Sequence, residues 1–277
     1  MSHVLPWWRR RVWARFTGIG LAMIPALIVQ TWRLDSHLPE RIALLIVSAV
    51  SAVLLTHGFL PSRAATGERS RPAVGSLVLD AAIQATLIAA LWPADAPMWP
   101  VLVALVAALL VQRLLGGWSV NPFPPVLLAL CIGVIVARGD SGFDFSPRLV
   151  SVIDTALVAA GWLLMGAVLV VLRLWPARTP VAYLLLTVPV LALGGIASIH
   201  LVHLALLAGF VLADTRHLPS TPQGQWVLGA MAGLATIATW LVDATPLAIG
   251  FPLLGVYALM PWIEQLSLER PSSSAAP

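Results

Sequence analysis

Three short stretches of this sequence hold the side chains best placed to do chemistry. Asp80 and Thr86 stand six residues apart in "DAAIQAT". Asn121, Pro122 and Phe123 follow Gly116 and Gly117 in "GGWSVNPFPP", and Asp214, Ser220 and Thr221 share "ADTRHLPSTPQGQ". Asp80 lies about five residues into an apolar run, where an ionisable group is costly enough to mark either a functional position or a bonded helix end. Asn121 can hydrogen-bond exposed backbone, and Pro122, Pro124 and Pro125 can open a helix without wasting an amide donor. A helix started there presents free N–H groups and the positive end of its dipole, which suits a phosphate or the carbonyl oxygen of a planar cofactor. The same residues also serve as a plain capped turn.

Other reactive residues give less. His200 and His203 share one helical face, a spacing that can ligate haem or metal. No second pair has matching depth, since His57 sits at the opposite end of its run, so they read as solvated or inter-helix side chains. Cys131 is the single cysteine and lies in an apolar run. It forms no intramolecular disulfide and supplies one thiolate where an iron–sulfur cluster needs several, leaving a buried structural thiol or one ligand of a cluster shared between subunits. Asp154 sits nearer the outer end of its run and carries no motif. No metal site and no catalytic residue is expected. Nucleotide-binding glycine loops, zinc-protease helices and nucleophile elbows are all missing from the sequence.

The elements that position these residues follow from composition. Hydrophobic residues make up 59 % of the chain, charged residues 10 %, and the mean hydropathy is +0.92. Those values belong to a multi-span membrane protein, and continuous rather than alternating apolar runs select helices over a barrel. Ten runs stand out, at 16–32, 42–60, 75–92, 99–115, 124–136, 149–172, 180–197, 201–213, 226–241 and 246–263. The expected fold class is all-α and polytopic, with about ten transmembrane helices. The expected organisation is a basic N-terminus over 1–15, one transmembrane domain over 16–263 and a loose tail over 264–277. The first run reads as a retained helix, because it is long enough to span and lacks a small-residue cleavage site.

Arginine placement sets the orientation. With a cytoplasmic N-terminus, Arg9, Arg10, Arg11, Arg15, Arg63, Arg69, Arg71, Arg113, Arg173, Arg178, Arg216 and Arg270 fall inside, and only Arg33, Arg41, Arg138 and Arg148 fall outside. That excess puts both termini in the cytoplasm, and explains the net charge of +4 without nucleic acid as a partner. Most of the twelve tryptophans, among them Trp92, Trp99, Trp175, Trp226, Trp240 and Trp262, fall at run ends, where interfacial anchoring is expected.

Two runs, 124–136 and 201–213, are too short to cross alone, and each adjoins an irregular polar segment. Paired short spans in the two halves of a chain point to a binding site, because irregular backbone is tolerated at depth only when it is buried or lines a cavity. Five runs on either side of the loop at 138–148 also allow a 5+5 inverted repeat.

At this point a resemblance becomes specific. Gly116-Gly117, Asn121-Pro122-Phe123 and Pro125 resemble the GG-x-x-x-NPFNPA motif of the RnfD/NqrB family, ten-span membrane subunits of ion-pumping, flavin-dependent redox complexes. Asp214, Ser220, Thr221, Pro222 and Gly224 resemble the family's TDPVSSPTTPRGR segment, and Asp80 and Thr86 keep the separation of its D-x-S-A-x-x-T-G. The resemblance implies that Asp80, Thr86, Asn121, Pro122, Phe123, Asp214, Ser220 and Thr221 bind a cofactor, a non-covalent flavin (riboflavin or FMN). It also implies residence in the bacterial cytoplasmic membrane beside other redox subunits, a separately flavinylated FMN-binding protein among them.

The departures are as informative. The family joins FMN covalently to a Thr in the loop after span five. Here that loop is "RGDSGFDFSPR", with Asp144 at the Thr position, and a carboxylate has no hydroxyl to esterify, so covalent FMN is not expected. Pro124 replaces the second Asn of NPFNPA, Thr215 replaces the Pro after the Asp, and Ala82 and Leu87 replace the Ser and Gly around Thr86. The sequence therefore reads as a divergent, short member, an electron-transfer subunit rather than an enzyme by itself. A channel or secondary transporter of a small solute, and a passive assembly scaffold, are the alternatives on the same framework.

Overall fold

The structure is a computed structural model that describes residues 74–92, 99–114, 123–138, 152–194, 199–214, 217–242 and 249–268, with isolated helical residues between 19 and 28 and at Ile46 and Val50. The first two apolar runs otherwise fall outside the described residues, as do Asn121, Pro122 and the loop that holds Asp144. Among the described residues the regular structure is entirely helical. In chain order the helices are α1 (Val74–Leu91), α2 (Trp99–Leu114), α3 (Pro125–Arg138), α4 (Val152–Val171), α5 (Arg178–Leu193), α6 (Ile199–Leu206), α7 (Pro222–Leu241), α8 (Gly250–Ala258) and α9 (Met260–Leu268), with a π-helical turn, Leu207–Val211, prolonging α6. This is the architecture expected of a polytopic membrane protein.

α4 is, among the described residues, the one helix whose length and apolar composition by themselves allow a crossing. Only 33 % of it is buried, and Val152, Ile153, Leu157, Leu164, Val168 and Val171 project outward. A soluble protein would hide so apolar a helix inside its core, so this exposed face belongs against lipid.

Packing between apolar helices in lipid gains little from the hydrophobic effect and depends on close backbone approach. Two contacts achieve it. α5 and α7 meet along Gly229-x-x-x-Gly233, where a Cβ added to Gly229 would overlap the Thr179 carbonyl oxygen and lie 2.8 Å from the Ala182 Cβ. The Thr236 hydroxyl then donates to the Tyr183 hydroxyl at 3.3 Å, inside the same pair. α4 and the π turn cross at Gly166 and Gly209, where a Cβ on Gly166 would sit 2.9 Å from the Gly209 Cα. Phe210, one residue on, wedges edge-to-face between Trp162 and Trp175, with both centroid separations 5.1 Å.

The short runs are short helices. α3 has 14 residues, about 21 Å at 1.5 Å per residue, against a hydrocarbon core of about 30 Å. Its entry is buried at Pro124 and Pro125, with Phe123 packed on the core. α6 has eight residues before the helix widens, its Leu212 N–H reaching back to the Leu207 carbonyl at 2.8 Å.

Three expectations change. The last run is two helices, divided at Leu259, whose N–H turns to the Val256 carbonyl at 3.1 Å immediately before Met260-Pro261. The tail expected from residue 264 is helical to Leu268, because Glu264 and Ser267 bond to the start of α7. Third, several tryptophans read as interfacial anchors are packing residues. Trp92 lies against Gly133, Trp175 against Phe210 and Trp240 against His200, all three buried, whereas Trp99, Trp226 and Trp262 are exposed. An indole at the end of a run meets a neighbouring helix or lipid according to the direction it faces, which hydropathy does not record.

Gly229→Ala is expected to destabilise the protein by about 1–3 kcal/mol, the usual cost of overpacking, seen as a lower thermal midpoint in detergent. Gly255→Ala, where a Cβ meets nothing within 4 Å, should leave the midpoint unchanged.

Candidate functional site

The stretch after the π turn forms the polar centre of the described structure. The Asp214 N–H bonds the Val211 carbonyl at 3.4 Å, and the Asp214 carbonyl accepts the His217 N–H at 3.0 Å. His217 is fully buried, and its Nε2 lies 3.9 Å from the Asp214 Oδ2, within ion-pair reach when the imidazole is protonated. Asp214 itself is partly exposed. The Tyr257 hydroxyl on α8 is an electrostatic neighbour of the Asp214 carboxylate. It is fully buried and has no hydrogen-bond partner among the described residues. Orphaned buried hydroxyls are uncommon and cost roughly 1–3 kcal/mol, so this one is a site where a ligand acceptor would be accommodated.

Ser220 and Thr221 follow on the same segment, but their hydroxyls are used inside the protein. The Ser220 N–H donates to the Glu264 Oε1 at 3.2 Å, and its hydroxyl makes a short bond to the same oxygen. Thr221 is the N-cap of α7, with Oγ1 accepting the Gly224 N–H at 3.0 Å while its hydroxyl donates to Ser267 Oγ at 2.7 Å. Pro222 takes the first helical position, where its missing N–H is no loss. The Gln225 side-chain amide closes the turn by donating to the Pro219 carbonyl at 3.1 Å.

The remaining predicted residues are distributed elsewhere. Thr86 is buried within α1, and its hydroxyl donates to the Ala82 carbonyl one turn back at 2.7 Å, so it offers a ligand acceptor lone pairs only. Asp80 occupies the first two turns of α1. Asn121 and Pro122 fall outside the described residues, but Phe123 and the start of α3 are defined.

The start of α3 can be related to Tyr257 through the packing of α8. Gly250, the first residue of α8, packs on Leu130, Cys131 and the Leu127 carbonyl. Four intervening helices make α3 and α8 antiparallel, so seven residues on from Gly250 and seven back from Cys131 bring Tyr257 level with Pro124, about 10 Å along both axes. The start of α3 and Tyr257 thus share one depth. Sequence reasoning named the start of α3 and Asp214, and missed Tyr257, Glu264 and Ser267 because no local pattern marks them.

The other candidates are structural. The His203 Nε2–H donates to the Leu91 carbonyl at the end of α1 at 3.2 Å, and His200 lies edge-on to Trp240 with centroids 5.7 Å apart, which makes both inter-helix residues. The buried Cys131 sulfur faces Gly250 of the same chain. No group of three or more metal-ligating side chains occurs among the described residues.

Comparison with known proteins bears on the first half of the chain. No curated protein sequence matches it. Residues 8–138 match the model of the NQR2, RnfD, RnfE family, a segment that contains Asp80, Thr86 and the Asn121-Pro122-Phe123 string but stops before Asp214. By that match residues 8–138 of the protein are similar to the NQR2, RnfD, RnfE family of membrane proteins.

Proposed function

We propose that the protein is the membrane subunit of a flavin-dependent electron-transport complex of Rnf/Nqr type, carrying electrons through or across the bilayer and coupling that flow to ion movement. The observation that carries this reading is the family match over residues 8–138, which takes in the Asn121-Pro122-Phe123 string before α3, supported by the orphaned Tyr257 hydroxyl level with the start of that helix. The residues fit a non-covalent flavin in chemical type. The first turn of α3 keeps N–H groups without intrahelical partners, suited to a carbonyl or phosphate oxygen. Tyr257 adds one uncommitted donor, and Phe123, Pro124 and the rings nearby exclude water. When bound, the flavin supplies one- and two-electron transfer. Within that site Asn121 orients the chain entering α3, Asp214 accepts a hydrogen bond or holds a proton, and Ser220 and Thr221 fix the loop through α9.

The protein resides in the bacterial cytoplasmic membrane with both termini inside, and its partners are the other redox subunits, one of them a separately flavinylated FMN-binding protein. A reporter enzyme active only outside the membrane should be silent when fused after Arg270 and active when fused within 138–148.

Purified with its partners, the protein should show flavin absorbance near ~450 nm, a cofactor property. Denaturation should release all of it, leaving no fluorescent band on a denaturing gel. Asn121→Ala and Asp214→Asn should each weaken flavin binding about tenfold, matching the loss of one hydrogen bond near 1.5 kcal/mol, without blocking insertion. A complex that carries no flavin and conducts solute in liposomes would establish a transporter instead. Full complex activity after both substitutions would establish a scaffold.

A further inference from the structure

We infer that Glu264 is a positioning residue: acting through Ser220, it ties the C-terminal helix α9 to the start of α7 and so fixes the segment that carries Asp214. The inference rests on the reading of Asp214 as part of the ligand site. The described residues on either side of 215–216, Asp214 and 217–220, are held at two ends. The first end is fixed by the π turn, through the Leu212 and Asp214 N–H bonds to Leu207 and Val211. The second end is fixed by a helix 44 residues away in sequence, where one Glu264 oxygen receives both the N–H and the hydroxyl of Ser220.

The geometry of α9 suits that task. Trp262 and Leu266 are 69 % and 71 % exposed, whereas Ile263 is buried, so the helix has an outward apolar face and an inward one. Glu264 and Ser267, three residues apart, lie together toward α7, and the Ser267 hydroxyl donates to the Glu264 carbonyl at 2.7 Å while its oxygen receives Thr221. A carboxylate beside the N-terminus of α7 is also favoured by the helix dipole. The break at Leu259 separates α9 from the α8 span, so the clasp, and not a continuous helix, sets where α9 sits. Because Ser220 is exposed, water can replace the carboxylate if it is removed. Loss of Glu264 therefore moves the loop more than it unfolds the protein.

The test uses the full chain in nanodiscs, comparing wild type, Glu264→Ala and Glu264→Gln by hydrogen exchange over residues 214–225 and by titration with riboflavin. Glu264→Ala should raise exchange of the Ser220 and neighbouring amides about tenfold and weaken riboflavin binding by a similar factor, the scale of one charge-assisted hydrogen bond. Glu264→Gln should restore both, since its side-chain carbonyl still accepts. Unchanged exchange in Glu264→Ala overturns the clasp. Faster exchange with unchanged affinity overturns the positioning role and leaves the proposed function standing. A wild type that binds no riboflavin overturns the functional reading, and the inference with it. Should Glu264→Ala fail to insert, Ser220→Ala takes its place, with smaller shifts expected in the same two directions and no shift overturning the inference.

Discussion

Hydrocarbon offers a peptide group nothing to bond to, and every feature of this protein follows from how it meets that demand. Most of the described residues do so by remaining helical. The described departures are the entry to α3 at Pro124-Pro125, the π turn Leu207–Val211 and the break at Leu259, and the first two are fully buried in protein. The π turn leads directly into Asp214, the α3 entry stands level with Tyr257, and Tyr257 lies two residues before the break. Irregular backbone has thus been gathered where neighbouring helices can satisfy it. The same gathering leaves donors and acceptors at depth that are not consumed by a helix ladder, which is the raw material of a binding site.

Close helix packing is what lets the irregular segments be covered. Gly229 and Gly233 admit α5 to the backbone of α7, and Gly166 admits the π turn to α4. The aromatic wedge of Phe210 between Trp162 and Trp175 then holds the widened turn against α4 and the segment that follows it. Had residue 166 or 209 carried a side chain, α6 would stand off from α4, and the carbonyls loosened by the π geometry would be exposed to lipid.

The sequence made the helical class plain because apolar runs report directly on solvation by lipid. Seven of the eight runs from 75 onward correspond one to one with a helix or a helix plus its turn, and the eighth conceals a break that Met260-Pro261 marks only weakly. The site was legible where it is local: the Asn-Pro-Phe string before α3 and the Thr-Pro start of α7 are turn and cap signals that can be read residue by residue. It was illegible where it depends on contact between distant segments. Nothing about Glu264 distinguishes it from a solvated carboxylate of a polar tail until α9 is seen against Ser220, and a Tyr within "GVYALM" looks like any other span residue until its hydroxyl is found without a partner. Trp175 and Trp240 fail as interfacial anchors for the same reason, since the identity of the neighbour decides what an indole does.

The hydroxyls divide into two classes, and the division limits what can recognise a ligand. Thr86, Ser220 and Thr221 spend their protons on a carbonyl, a carboxylate and a serine oxygen, so a ligand meets them only as acceptors or not at all. Donors left uncommitted among the described buried side chains include the Tyr257 and Thr179 hydroxyls and the indole N–H groups of Trp175 and Trp240, and the first turn of α3 adds backbone N–H groups. The partly exposed Asp214 carboxylate supplies an acceptor as well, so the described residues offer both donors and an acceptor to whatever meets them.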